Sequence, residues 1–260
     1  MTEALTGFFL GRRKYAPTFE LMTGLFEARK QNQIGDVVLL LEHTPVITLG
    51  RGAQAKHILA GQDQLRTLGV EVVSTGRGGD VTLHAPGQLV AYPIIDLKPD
   101  RCDVRKYVQT LSAVMNELIR PYGLDGGNIK VLIGLWLDRS QVDFYPGEDR
   151  IRAPIKIGAI GVRISRWVTS HGFALNLSTN MDLFSLIVPC GIEQFGVTSV
   201  QQLTGGSPEL RESARSALFH LNLRLGQDEP HWVDVERIAM EHVEARIYEY
   251  FSALSETRKV

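Results

Sequence analysis

The segment SLIVPCGIEQFGVTS contains Cys190, one of two cysteines in the chain. A free cysteine is most often a small buried hydrophobe, yet two neighbours favour reactivity here. Pro189 biases Val188 toward extended geometry, so the thiol stands where regular structure ends, and Gly191 leaves space beside the sulfur. Cys102, in KPDRCDVRKY, begins a helix near charged residues; a helix N-terminus also lowers a thiol pKa, so this residue competes for the role. A nucleophilic thiol must ionise, and at an ordinary pKa of about 8.5 only a few per cent is thiolate at neutral pH. A lysine ammonium ~4 Å away, at an effective dielectric of ~20, contributes up to ~4 kcal/mol before desolvation is subtracted. At ~1.4 kcal/mol per pKa unit, half of that suffices to shift the thiol appreciably. APIKIGAIGV supplies a candidate, because Lys156 stands in an apolar, strand-like run. A lysine there needs either a partner or solvent at a sheet edge.

A second polar cluster lies in TGRGGDVTLHAPGQ. Gly76, Gly78 and Gly79 do not give GxGxxG, and an alternating strand pattern follows where that fingerprint requires a helix. No GxxxxGK phosphate loop occurs. A hairpin turn is the simplest reading. The turn nevertheless gathers Arg77, Thr82 and His84, and an open backbone with a few polar groups suits a small, extended ligand. The seven histidines form no HExxH or Cys/His cluster, so no metal site is expected. Ser170 and His171 are adjacent, hence on opposite faces of a strand, and no GxSxG motif accompanies them. A serine nucleophile paired with that histidine is therefore rejected.

The elements that must position these groups are legible in outline. Phe19, Met22, Leu25 and Phe26 recur at helical spacing, and Val104, Val108, Leu111, Met115 and Leu118 form the stripe of another helix, closed by Pro121 and Gly123. DVVLLLEHTPVITLG is a near-continuous apolar run broken at Pro45, as expected for strands covered on both faces. VEVVS, VTLH, LVAYPII, VLIGLWLD and the stretch from Ile155 to Asn176 supply further strands. Arg139 to Pro154 forms a polar loop, and a last helix is expected from about Asp234 to Leu254. The reading is one α/β domain over 1–260 with a helical C-terminal portion from about 207.

Composition sets the outer limits. With 44% hydrophobic and 22% charged residues, the chain has ample material for a core. Its net charge of -1 gives no basic field for nucleic acid. Two cysteines are too few for a disulfide scaffold, which favours a reducing compartment, and the early apolar patch precedes its basic residues, the reverse of a secretory signal. No apolar run reaches the ~18–20 residues of a membrane span. The cytoplasm is the expected location.

In sequence order, LLLEHTPVITLGR, RGGDVTLHAPGQLVAYPIIDL, KIGAIGVRISRWVTSHGFALN and IVPCGIEQFGVTS closely resemble the bacterial-type octanoyltransferases of lipoate biosynthesis, from about Val37 to Gly205. The resemblance implies an α/β (α+β) fold shared with biotin and lipoate protein ligases: a mixed β-sheet flanked by helices, with a smaller second sheet. It implies transfer of an octanoyl group from acyl carrier protein to a lysine of a lipoyl domain, in 2-oxoacid dehydrogenase complexes or the glycine-cleavage H protein. No cofactor, nucleic acid or membrane is implied. The acyl-thioester cysteine falls on Cys190 and the lysine that activates it on Lys156. Acyl-binding segments fall on Arg77, Gly78, Gly79, Asp80, Val81, Thr82, Leu83 and His84, on Ala159, Ile160 and Gly161, and on Gly172, Phe173 and Ala174. Val81, Leu83 and Phe173 are expected to wall the alkyl chain. Arg163 and Arg166 are expected to dock an acidic donor carrier. Ala85 replaces a glycine usual in the family, and the loop 139–154 is longer than usual. The alternatives are an ATP-dependent ligase on the same fold, which would not need Cys190, and a noncatalytic acyl-binding protein.

Overall fold

The computed structural model describes residues 4–130, 132–189 and 194–257. The chain opens with strand β1 (Thr6–Arg13), helix α1 (Tyr15–Lys30) and strands β2 (Val37–His43) and β3 (Val46–Leu49). A short helix α2 (Gln62–Thr67) leads to β4 (Glu71–Ser74), β5 (Val81–His84) and β6 (Gln88–Ile94). Helix α3 (Val104–Ile119) is followed by β7 (Gly127–Ile129), β8 (Leu132–Asp138), β9 (Pro154–Ser165) and β10 (Val168–Asn176). The C-terminal third contains β11 (Gly196–Val197), α4 (Val200–Thr204), α5 (Leu210–Leu225), β12 (His231–Asp234) and α6 (Met240–Thr257).

The main sheet runs β12-β1-β2-β6-β10-β9-β8-β7, with β11 beside β9; the small sheet runs β4-β3-β5. The apolar run before Pro45 explains why the large sheet is sandwiched. Phe8, Leu39 and Leu41 pack toward α1 and α6, with Leu25, Val243 and Ile247. Phe9, Val38 and Leu40 pack with Leu111, Met115 and Leu218 from α3 and α5. Alternate residues of one strand thus enter two separate cores, and each core needs apolar side chains at every second position. Pro45, which has no N–H for a ladder, separates β2 in the large sheet from β3 in the small one.

Two sequence expectations shift. The α3 stripe does not bury its first member: Val104 is 45% exposed, and Val108 lines a cavity instead of the core. The last helix starts at Met240 because the residues before it have other partners: β12 pairs in parallel with β1, and Val235 N–H donates to Phe9 O at 2.9 Å. The segment read as helical from 207 therefore contributes an edge strand as well as two helices. Arg13 holds the following turn through the carbonyls of Val235, Glu236 and Ile238 at 2.8–3.0 Å. The long loop after β8 folds back upon the Asp138 turn. Arg152 N–H and the Ser140 hydroxyl donate to that carboxylate at 2.8 and 2.6 Å and, with further backbone donors, hold it at about 2. The loop's Tyr145 hydroxyl donates to Asn128 O.

Candidate active site

The main sheet brings two of the expected segments into register. In the antiparallel β9–β10 pair, Ala159 lies opposite Ala174, Ile160 opposite Phe173, and Gly161 opposite Gly172. A Cβ at Gly172 would stand 2.2 Å from Ala91 O, so only glycine lets β6 approach there. The third segment arrives from the small sheet. Gly78 N–H donates to Val162 O at 3.3 Å, joining the turn 76–80 to β9. Arg77 is buried and donates to Thr48, to its carbonyl at 2.7 Å and its hydroxyl at 2.9 Å.

Between these elements lies a cavity of about 340 Å³. Arg77, Gly79, Asp80, Thr82 and His84 form one wall, and Ala159 to Gly161 with Gly172 to Ala174 form another. Leu132, Ile133 and Val108 add apolar surface. Val81 and Leu83 do not line it; both are fully buried in the small-sheet core with Ile47 and Leu65. The strand's two-residue period sends Thr82 and His84 to the cavity and their neighbours to the opposite face. Ala85 accommodates its position without a left-handed backbone, unlike His171 at φ 56.

Lys156 lies in β9, paired with Trp136 of β8 and Val197 of β11, so it is not an edge lysine. It is only 6% exposed, and its ammonium lies 5.3 Å from the centre of the Trp136 ring. Gly134 makes the space: a Cβ there would meet Lys156 Cε at 2.6 Å, on a backbone with φ +144. Lys156 lines the main cavity and also a small cleft of about 10 Å³ that includes Thr82, Gln88, Asn176 and Pro189. Beyond that cleft, Thr198 N–H donates to Lys156 O at 2.8 Å. Cys190 and Gly191 lie outside the described residues. Cys102 is not at this site: its thiol donates to Leu97 O at 3.5 Å, beside the start of α3.

Sequence reasoning missed much of the cavity's inner end. Tyr15, Tyr92 and His171 line it, and His43 lies behind them, its Nε2 2.9 Å from the Tyr92 hydroxyl. Burial holds His43 at about 4, and His84 and His171 at about 3, so all three rings are neutral near pH 7. Burial likewise pushes Tyr15 up to about 12. Adjacency excludes His171 as a base for Ser170, but its position directly before Gly172 is a usable signal for the cavity. The site combines a neutral, largely aromatic interior with the Arg77 guanidinium and Lys156, an arrangement suited to an extended apolar chain with one polar reacting end.

Residues 14–221 match the family described as lipoyl protein ligase A/B catalytic domain. An octanoyltransferase of Myxococcus xanthus is 46% identical over 80% of this chain; the match spans 56% of that protein, little more than half its length. An octanoyltransferase of Solibacter usitatus is also 46% identical, over 75% of this chain and 81% of its own. Among solved structures, the bipartite lipoate protein ligase of Thermoplasma acidophilum aligns over 96% of this chain and 93% of its own, with a TM-score of 0.64 at 15% identity, a likeness of fold. The large mixed sheet with helices on both faces and the small three-stranded sheet are thus the lipoate-ligase architecture, and the chain belongs to the octanoyltransferases of the lipoyl protein ligase A/B catalytic-domain family.

Proposed function

We propose that this chain moves an octanoyl group from octanoyl-acyl carrier protein to Cys190 and then to a specific lysine of a lipoyl domain. The observation that carries this reading is the position of Lys156, which lines both the apolar cavity and the cleft containing Pro189. Cys190 follows Pro189 directly in the sequence. In the first step the thiolate attacks the donor thioester, the new C–S bond forms, and the carrier thiolate leaves and takes a proton. Exchange of one thioester for another is nearly even in free energy, so no nucleotide is required. In the second step the lysine amine attacks, the C–N bond forms, the C–S bond breaks, and the amine's proton passes to the departing sulfur with Lys156 as intermediary.

A free lysine has a pKa near 10.4, so well under about 1% is neutral at pH 7, and a proton acceptor at the site has real work to do. The apolar walls Phe173, Ile160 and Ile133 fit the alkyl chain. Gly78 N–H is engaged by Val162 O, which favours Gly79 or Gly191 over Gly78 as oxyanion donors. Acceptors are the lipoyl domains of 2-oxoacid dehydrogenase complexes and the glycine-cleavage H protein, and the setting is the cytoplasm. No helix among the described residues is long and apolar enough to cross a membrane.

The test is incubation with octanoyl carrier protein, digestion and mass spectrometry. We expect a hydroxylamine-labile octanoyl group on Cys190, absent in Cys190→Ser and chased onto a lipoyl domain. An octanoyl group on Cys102, or transfer that requires ATP and survives Cys190→Ser, overturns the reading.

A further inference from the structure

His84 faces the cavity, and the chain of hydrogen bonds behind it decides which of its nitrogens carries the proton. Two backbone carbonyls, Thr198 O at its far end and Leu83 O beside Gln88, can only accept and so fix the direction of the chain. Thr198 O takes a hydrogen bond from Asn176 at 2.9 Å, so the Asn176 nitrogen is the donor there and its Oδ1 points away. That Oδ1 lies 2.8 Å from Gln88 Nε2, which also donates to Leu83 O at 3.2 Å. Both amide orientations are therefore fixed by the network. Gln88 Oε1 is left facing His84 Nδ1 at 2.7 Å, and an oxygen there requires that Nδ1 hold the hydrogen. In a neutral imidazole, Nε2 is then a bare acceptor. Burial, which holds the ring at about 3, keeps it neutral across the working range.

The relay borders the reacting end of the site. Gln88 and Asn176 line the same cleft as Lys156 and Pro189, and Thr82, one strand period before His84, lines both the cleft and the cavity. The residue at the relay's far end, Thr198, also donates its N–H to Lys156 O. One consequence is negative: a bare Nε2 cannot donate to the acyl carbonyl, so His84 does not serve as an oxyanion donor.

We infer that Gln88 and Asn176 are positioning residues that lock His84 as its Nδ1–H tautomer, so that His84 Nε2 accepts an N–H of the attacking lysine amine and turns the amine lone pair toward the thioester carbonyl. The ring orients the amine without removing its proton, which leaves by the route described above. This inference rests on the thioester reading.

Two measurements test it. In protein labelled with ¹⁵N-histidine, two-bond ¹H–¹⁵N correlations report the tautomer directly; wild-type His84 is expected as Nδ1–H, and Gln88→Met is expected to lose that pattern. In single-turnover experiments with octanoyl carrier protein, Gln88→Met should slow transfer from Cys190 to a lipoyl-domain lysine by up to about 100-fold, the scale of a misplaced reactant. Loading of Cys190 should slow far less. A wild-type His84 protonated at Nε2 overturns the inference, even if Gln88→Met does not fold. So does a variant in which loading and transfer fall together, or in which transfer is unchanged. If wild-type protein acquires no octanoyl group on Cys190, the thioester reading itself fails, a result distinct from all of these.

Discussion

Lys156 owes its position to one missing side chain. Its stem occupies the space over Gly134, where a Cβ would come within 2.6 Å of Cε. Gly134→Ala therefore asks either the lysine or its strand to move, and alanine also strains a backbone at φ +144. We expect a loss of about 1–3 kcal/mol in chemical denaturation and a larger proportional loss in octanoyl transfer. Replacing the amine outright with Lys156→Met is expected to slow acylation of Cys190 by about 10²–10⁴-fold at neutral pH, measured by mass spectrometry in single turnover. At this scale the sequence marked Cys190 and Lys156 by their neighbours, since a lysine in an apolar strand and a thiol between proline and glycine are unusual placements. It gave no such mark to Gln88, Asn176 or Tyr92. Their contacts at the site are hydrogen bonds across up to 88 positions of chain, as between Gln88 and Asn176.

Strand period and register govern the elements. Within β5 the two-residue alternation divides a motif that looks continuous in sequence: Thr82 and His84 face the cavity, while Val81 and Leu83 support the small sheet. The pairing of Gly161 with Gly172 brings two glycines opposite one another beside β6. Gly172→Ala is expected to cost about 1–3 kcal/mol, because its Cβ would press on the Ala91 carbonyl, a backbone atom with little freedom to yield. A denaturation midpoint equal to wild type would contradict this. The 3.6-residue period marks the helices, but it does not tell a core-facing position from a cavity-facing one. Val108 therefore shares the helical stripe of Leu111 and Met115 but stands at the cavity rather than under the sheet.

Across the whole molecule, the segment beyond the family match completes the sheet and one of its layers. Strand β12 forms its edge, and α6 buries Val243 and Ile247 fully against Phe8 and Leu25. Ile247→Ala is expected to destabilise the protein by about 2–5 kcal/mol, with activity retained below the melting transition. Three buried neutral histidines make stability depend on pH. Their folded pKa values of about 3 to 4 lie below the unfolded value near 6.5. Above that value both states are neutral and the full stability is present; as pH falls toward 4 the unfolded chain binds protons that the folded chain refuses, and stability declines. A melting temperature that stays level from pH 6.5 to 4.5 would contradict this, and His43→Gln should flatten the decline. Arg163 is exposed beside the turn at Gly76. Arg163→Glu is expected to raise KM for the acidic donor carrier and weaken its salt dependence, with kcat little changed.

By itself the sequence determined the period of the central strands and of the longer helices, the resemblance to octanoyltransferases, and the pairing of a candidate thiol with a candidate lysine. These follow from residue type and short spacing, which local sterics and apolar patterning fix. Only the tertiary structure decided that β2 and β3 belong to different sheets, that Val81 and Leu83 turn away from the cavity, and that β12 closes the edge beside β1. It alone oriented the amides of Gln88 and Asn176. Each of those outcomes depends on which distant strand supplies the neighbouring carbonyl or apolar face, and no local pattern encodes that choice.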